Sequence, residues 1–236
     1  MCGRSSLHDA PTNILERFRL PAAIPGFKAR YNIVPTHEQW TLGVGATGAP
    51  EICQRRWGLI PYWAKDSSIG ARMINARAES LLEKPAFREA VARRRCLILA
   101  DGYYEWTGAG KLKVPMFFHM AGHHAFAMAG LWERWTGNES PLETCTVVTT
   151  DASSRTAAYH PRMPVLLDLD AAERWVDSAT PMEAALGLLR PYEGADLECY
   201  EVSKLANSPS NDSLECMQPV EESPRETVSQ LSLLPD

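Results

Sequence analysis

The sequence predicts a single α+β domain built mainly from antiparallel strands. Three observations predict it. No internal repeat and no Gly/Ser linker divides the 236 residues, although the length alone permits one large domain or two small ones. Short apolar or alternating runs recur between turn-forming residues along most of the chain. Helical periods are few and short, while 45% hydrophobic residues and seven tryptophans supply a packed core.

The elements follow in order. Residues 12–19 form a short helix after Pro11, with Ile14, Leu15 and Phe18 on one face. Residues 29–35 are extended and end at Pro35. Strands are expected at 38–44 and 51–58, separated by the turn-forming stretch from Gly45 to Pro50. Residues 78–92 suit a helix interrupted or started near Pro85. The apolar run Cys96–Ala100 is a buried strand, and Asp101-Gly102 turns the chain into Tyr103–Trp106. Further strands are expected at 114–120, 124–131 and 144–149, helices at 170–177 and from Pro181 through Leu189, and a last strand at 198–203. The final fifteen or so residues, rich in Glu, Ser and Pro, are expected to be a mobile tail.

Composition narrows the function. No apolar run approaches the roughly 20 residues needed to cross a bilayer. The N-terminus Met1-Cys2-Gly3-Arg4 lacks the apolar core of a signal peptide, so a cytoplasmic protein is expected. The six cysteines are scattered without a CxxC pair, so neither a zinc site nor a disulfide framework is expected, and no metal or cofactor is assigned. The net charge of −5 conceals a segregation. Residues 1–100 carry 15 Lys+Arg against 8 Asp+Glu, and residues 101–236 carry 9 against 21. A basic cleft on an acidic body produces such a split, and so does chance.

The chemistry centres on Cys2. Methionine is commonly trimmed before a small second residue, and trimming leaves an α-amine and a thiol on adjacent carbons. Their reference pKa values of about 8 and about 8.5 keep a useful fraction of each reactive at neutral pH. An aldehyde condenses with the amine to an imine, and the thiol then closes a five-membered thiazolidine. The competing reading is an incidental cysteine. Glu105, after a buried strand and among aromatics, suits proton transfer; an ordinary solvent-facing carboxylate is its alternative. His160 sits in His160-Pro161-Arg162-Met163-Pro164, where it suits general acid work or merely holds a loop. Asn75 offers a donor and an acceptor to a sugar oxygen, or else caps a helix. Arg4, Arg77 and Arg162 lie within four residues of Cys2, Asn75 and His160 and suit phosphate contacts. Trp57, Tyr62, Trp63 and Trp106 suit base stacking, with a core position favoured for Trp57. Arg93-Arg94-Arg95 is expected to be a solvated turn.

Taken together, Met1-Cys2-Gly3-Arg4, Arg30-Tyr31-Asn32 with Pro35, Trp57-Gly58-Leu59-Ile60-Pro61, Asn75-Ala76-Arg77-Ala78-Glu79, Asp101–Trp106 and His160–Pro164 closely resemble the SRAP family. These are the SOS-response-associated peptidases, also called abasic site processing proteins. Val202-Ser203 through Asn207, Asn211-Asp212 and Pro219 resemble the family's C-terminal motif, with Leu205-Ala206 a looser match. The family often has Trp or Phe where Tyr103 and Tyr104 stand.

The resemblance implies one SRAP domain over residues 2–220, a barrel-like β core with flanking helices, and a tail at 221–236. It implies that Cys2 forms a thiazolidine with the ring-opened sugar of an abasic site in single-stranded DNA, shielding the lesion during the DNA damage response. Asn75 would position the sugar, Glu105 would handle the amine's proton, and His160 would assist ring opening. DNA contacts would come from Arg4, Asn32, Trp63, Arg77, Trp106 and Arg162. Self-removal of Met1 through Glu105 explains the peptidase name, and lyase activity by β-elimination is left open. A monomer acting in the cytoplasm on nucleoid DNA at damaged replication forks, with no membrane partner, completes the expectation. Two rivals stand beside it. One is an N-terminal-nucleophile hydrolase of the class II glutamine amidotransferase type; the other is a non-catalytic single-stranded nucleic-acid-binding module.

Overall fold

The computed structural model describes residues 2–20, 24–44, 50–108, 110, 113–137 and 139–220. Met1, most of the expected turn (45–49) and the expected tail (221–236) lie outside the described residues. Pro11 opens helix α1 (Pro11–Arg17) and Pro85 opens α2 (Pro85–Arg93), where a missing N–H leaves nothing unpaired. The helix expected over 78–92, interrupted or started near Pro85, does start at Pro85. Residues 75–77 instead form a strand and 78–80 a single 3-10 turn.

The strands are β1 (Ser5–Leu7), β2 (Arg30–Ile33), β3 (Glu38–Val44), β4 (Pro50–Trp57), β5 (Asn75–Arg77), β6 (Arg95–Ala100), β7 (Gly102–Thr107), β8 (Val114–Met120), β9 (Phe126–Trp135), β10 (Leu142–Asp151), β11 (Arg162–Pro164), β12 (Leu166–Leu167) and β13 (Leu197–Glu201). Two further helices, α3 (Leu169–Val176) and α4 (Met182–Leu186), follow β12. One sheet runs β13-β8-β7-β1-β2, with every neighbour antiparallel. The other runs β11-β10-β4-β3-β6-β9-β12 and turns back on itself where β9 also pairs β10. A barrel-like ring β10-β4-β3-β6-β9 results, completed by the short parallel contact Thr144–Arg56 and Cys145–Trp57. The α+β fold dominated by antiparallel strands is as expected; β10 adds parallel neighbours in β4 and β5.

Three tryptophans fill the interior, each with its indole N–H answered by a carbonyl. Trp57, Trp135 and Trp175 are buried and donate to Ile74 at 2.8 Å, Ala64 at 2.7 Å and Cys96 at 2.9 Å. Trp57 is thus a core residue. The arginine triplet is not a solvated turn throughout. Arg95 is buried in β6, donating to the carbonyls of Trp175 at 2.6 Å and Asp177 at 2.7 Å, and Arg94 pairs with Glu133 at 2.8 Å. These carbonyls at the end of α3 supply what a buried guanidinium needs, and no local pattern announces them.

The start of the chain is fastened on both sides. Strand β1 pairs with β7 through Ser5–Tyr103 and Ser6–Gly102, and with β2 through Ser5–Ile33. The buried Asp101 carboxylate accepts from Ser6 Oγ at 2.5 Å, from the Asp9 amide at 2.8 Å and from the His8 amide. Glycine is required at 102, because a Cβ there would meet the Phe117 ring at 2.0 Å. A strand of only three residues holds its place through these contacts and delivers Cys2 into the interior.

Candidate functional site

Cys2 is fully buried, and its thiol donates weakly to the Arg4 carbonyl, with sulfur and oxygen 3.7 Å apart. Burial pushes the thiol well above its usual range, and the nearby Glu105 charge adds to the effect. The Asn75 amide donates to the Cys2 carbonyl at 2.8 Å. Strand β5, not a helix N-cap, places Asn75 there: it is held against β10 through Val147–Asn75, Val148–Ala76 and Thr149–Arg77. The Asn75 Oδ1 atom is buried with no hydrogen-bond partner among the described residues, an acceptor left open in the site.

Glu105 lies in β7, 4% exposed. Burial raises its carboxyl above the usual carboxylate range, against the opposing charges of the amino terminus, His160 and Lys113. His160 ends the turn after β10, where its own N–H reaches the Thr156 carbonyl at 3.1 Å. His160 Nδ1 lies 3.0 Å from both the amide nitrogen and the carbonyl oxygen of Arg162. Asn75 bonds the Cys2 carbonyl, and Glu105 lies within electrostatic reach of both Cys2 and His160. Three buried hydroxyls went unnoticed in the sequence, those of Tyr103, Thr146 and Thr149, each without a hydrogen-bond partner among the described residues. For Tyr103 a signal existed, since residues 103 and 105 of one strand share a face.

The other residues assigned to DNA divide into three groups. Arg4, Asn32 and Trp106 hold the C-terminal segment. Arg4 donates to Asn32 Oδ1 at 2.8 Å, to the Asn207 carbonyl at 3.1 Å and to the Ala206 carbonyl, and lies 5.6 Å from the centre of the Trp106 ring. Trp106 donates to Asn207 Oδ1 at 2.7 Å, and the buried Asn32 amide reaches the carbonyls of Ser208 at 3.1 Å and Asn211 at 2.7 Å. Arg162 makes a two-pronged pair with Glu79 at 2.8 and 2.9 Å and meets Asp151 at 2.7 Å. With the exposed Arg77 it lines a cleft of about 770 Å³ that also holds Asn75, Glu79, Glu83, Lys84 and Asp151, so cations and carboxylates alternate there. Tyr62 and Trp63 stand apart, 53% and 49% exposed, after β4. All six cysteines are free thiols, and among the described residues no group of His, Cys, Asp or Glu is arranged to hold a metal. Nor is any described helix long and apolar enough to cross a membrane.

Asp212 completes the C-terminal clasp. It accepts from the amides of Tyr31 at 2.7 Å and Asn32 at 2.8 Å and pairs with Arg30. Partial burial pushes its carboxyl up, but the two amides and Arg30 outweigh burial and hold it below the ordinary range. A depressed pKa contributes stability that is present above the unfolded value and lost as pH falls through the folded one. Protection of the amides across residues 204–217, measured against the intrinsic exchange rate at each pH, is therefore expected to fall in acid below the ordinary carboxylate range, and Asp212→Asn should show the lower protection already at neutral pH.

Comparisons with known proteins bear on the fold and the family. A solved crystal structure of a protein from Bacteroides thetaiotaomicron superposes with a TM-score of 0.82, at 24% identity, over 93% of this chain and all of that one. The abasic site processing protein YoaM of Bacillus subtilis is 41% identical across 92% of this chain and 97% of its own length. The abasic site processing protein HMCES of Gallus gallus is 35% identical across 72% of this chain and 58% of its own. The family model described as SOS response associated peptidase (SRAP) matches residues 1–209. The chain belongs to the SRAP family.

Proposed function

We propose that this protein attaches itself covalently to abasic sites in single-stranded DNA through Cys2, once Met1 has been removed. The observation that carries this reading is the hydrogen bond of Asn75 to the carbonyl of a buried Cys2, beside a carboxyl raised by burial. His160 gives a proton to the sugar ring oxygen as the bond from that oxygen to the anomeric carbon breaks and the anomeric hydroxyl loses its proton to water, which frees the aldehyde. The Cys2 amine attacks the aldehyde carbon, Glu105 takes the amine's proton and returns it to the departing hydroxyl, and one water leaves as the imine forms. The thiol then adds across the imine to give a thiazolidine. Asn75 holds the Cys2 backbone through its N–H and offers Oδ1 to a sugar hydroxyl. Arg77, Arg162 and Trp63 contact the strand, while Arg4, Asn32 and Trp106 support the C-terminal segment beside it. Glu105 also serves in the removal of Met1, which makes the protein its own peptidase. The monomer acts at damaged replication forks, and the crosslink shields the lesion there.

Mixed with a single-stranded oligonucleotide carrying one abasic site, the protein is expected to give a heat-stable crosslinked band that weakens as salt rises. An undamaged strand should give none. A protein that binds both strands alike and never crosslinks is the non-catalytic module instead. Release of ammonia from glutamine would point to the amidotransferase type.

A further inference from the structure

Ring closure needs a donor to the sulfur, a role that none of the steps above assigns. In the resting site the Cys2 thiol donates a weak hydrogen bond to the Arg4 carbonyl at 3.7 Å. When that proton leaves, a sulfur anion faces a carbonyl oxygen in a fully buried position, which is costly unless a donor reaches it. The Asn75 N–H is already committed to the Cys2 carbonyl.

Tyr103 carries an unused donor. It is 1% exposed, and its hydroxyl makes no hydrogen bond among the described residues, whereas the neighbouring Tyr104 hydroxyl donates to the Tyr31 carbonyl at 2.6 Å. An unpaired buried hydroxyl is costly, so its persistence asks for a reason. The ring is fixed by stacking on Phe118, with centroids 4.9 Å apart and planes 9° off parallel. Alternation along β7 aims Tyr103 and Glu105 to one side of the sheet. Tyr103 packs in the same buried cluster as Cys2, and Tyr104 in a separate one with Phe117 and Met217. The Ser5–Tyr103 register sets Tyr103 beside the strand into which Cys2 leads. Burial holds the phenol far above its usual range, with Cys2 and Glu105 as the next influences, so it stays protonated.

We propose that the Tyr103 hydroxyl donates a hydrogen bond to the Cys2 sulfur as it becomes a thiolate, and thereby promotes closure of the imine to the thiazolidine. The proposal rests on the reading of Cys2 given above. In this step the S–H bond breaks, a C–S bond forms at the former aldehyde carbon, and the C=N bond becomes C–N. The proton ends on the ring nitrogen, Tyr103 keeps its own, and nothing is oxidised or reduced.

The test is Tyr103→Phe, which removes one oxygen and keeps the stacked ring. Borohydride traps the imine and leaves the thiazolidine untouched, so the two steps can be timed separately. Imine formation and DNA binding should match the unsubstituted protein. The borohydride-resistant adduct should appear roughly tenfold more slowly, about the worth of one hydrogen bond to a charged group, while trappable imine accumulates. The pH profile of closure should move upward as the thiol becomes harder to ionise. Closure at the unsubstituted rate, or equal slowing of both steps, overturns the proposal. So does a lower unfolding temperature, because it means that the hydroxyl was already paired. If the unsubstituted protein itself gives no borohydride-resistant adduct, the reading of Cys2 fails instead.

Discussion

Cys2→Ala is expected to reduce the heat-stable adduct with abasic single-stranded DNA to background while leaving the fold intact. The reason is the joint action of two groups. An amine alone yields an imine that hydrolyses when the protein is denatured, and a thiol alone yields a hemithioacetal that reverts even faster. Only the pair on adjacent carbons closes a persistent five-membered ring. Cys2→Ser separates the contributions: it should keep a borohydride-trappable imine and lose the heat-stable band. One uncleaved residue added before Cys2 should act like Cys2→Ala, because the amine then belongs to another residue. Noncovalent binding should survive all three changes, since the phosphate contacts lie elsewhere. A heat-stable band from the Cys2→Ala protein sinks the thiazolidine reading.

Glu105→Gln is expected to slow crosslinking by roughly a hundred- to ten-thousandfold, the usual worth of a positioned acid–base group. The substitution keeps shape and burial and removes only the capacity to exchange a proton. The pH profile carries a second signature. Burial raises the Glu105 carboxyl, so it must be deprotonated above the ordinary carboxylate range before it can accept the amine's proton. The acid limb of the crosslinking rate should therefore lie higher than a solvent-exposed glutamate would place it, and it should vanish in Glu105→Gln. The same shift has a stability consequence. A carboxyl with a raised folded pKa favours the folded state when protonated, and that advantage is lost as pH rises from the unfolded value through the folded one. At neutral pH the neutral Gln should therefore unfold at no lower temperature than Glu, while reacting far more slowly. A variant that loses stability and keeps its rate contradicts the assignment.

How much was legible depended on how local the cause is. Strands β3 and β8 match the expected 38–44 and 114–120, because alternation and flanking turn residues define them within their own sequence. β1 left no trace: three residues hold no period, and the strand exists because Asp101, nearly a hundred residues away, binds its end. β5 was not foreseen: Asn75 could pass for a helix cap, and its strand exists through pairing with β10, which outweighs the local preference of Asn75-Ala76-Arg77. Arg95 looked solvated because its carbonyl partners come from the end of α3. The site followed the same rule. The chemistry of Cys2, Glu105 and His160 can be read from residue type, and the family motifs added their company. That Arg4 and Asn32 bind residues 206–211 depends on tertiary contacts and needed coordinates. The Tyr103 hydroxyl escaped because it sits among aromatics that pass for a wall.

The central claim is that one residue supplies both the amine and the thiol. The most direct measurement is mass spectrometry of the crosslinked protein after exhaustive nuclease and protease digestion, with and without borohydride. The sugar remnant is expected on the peptide that begins at Cys2 and lacks Met1, with a mass that borohydride does not change. A remnant on a lysine, on the amine of Met1 or on any other cysteine contradicts the account.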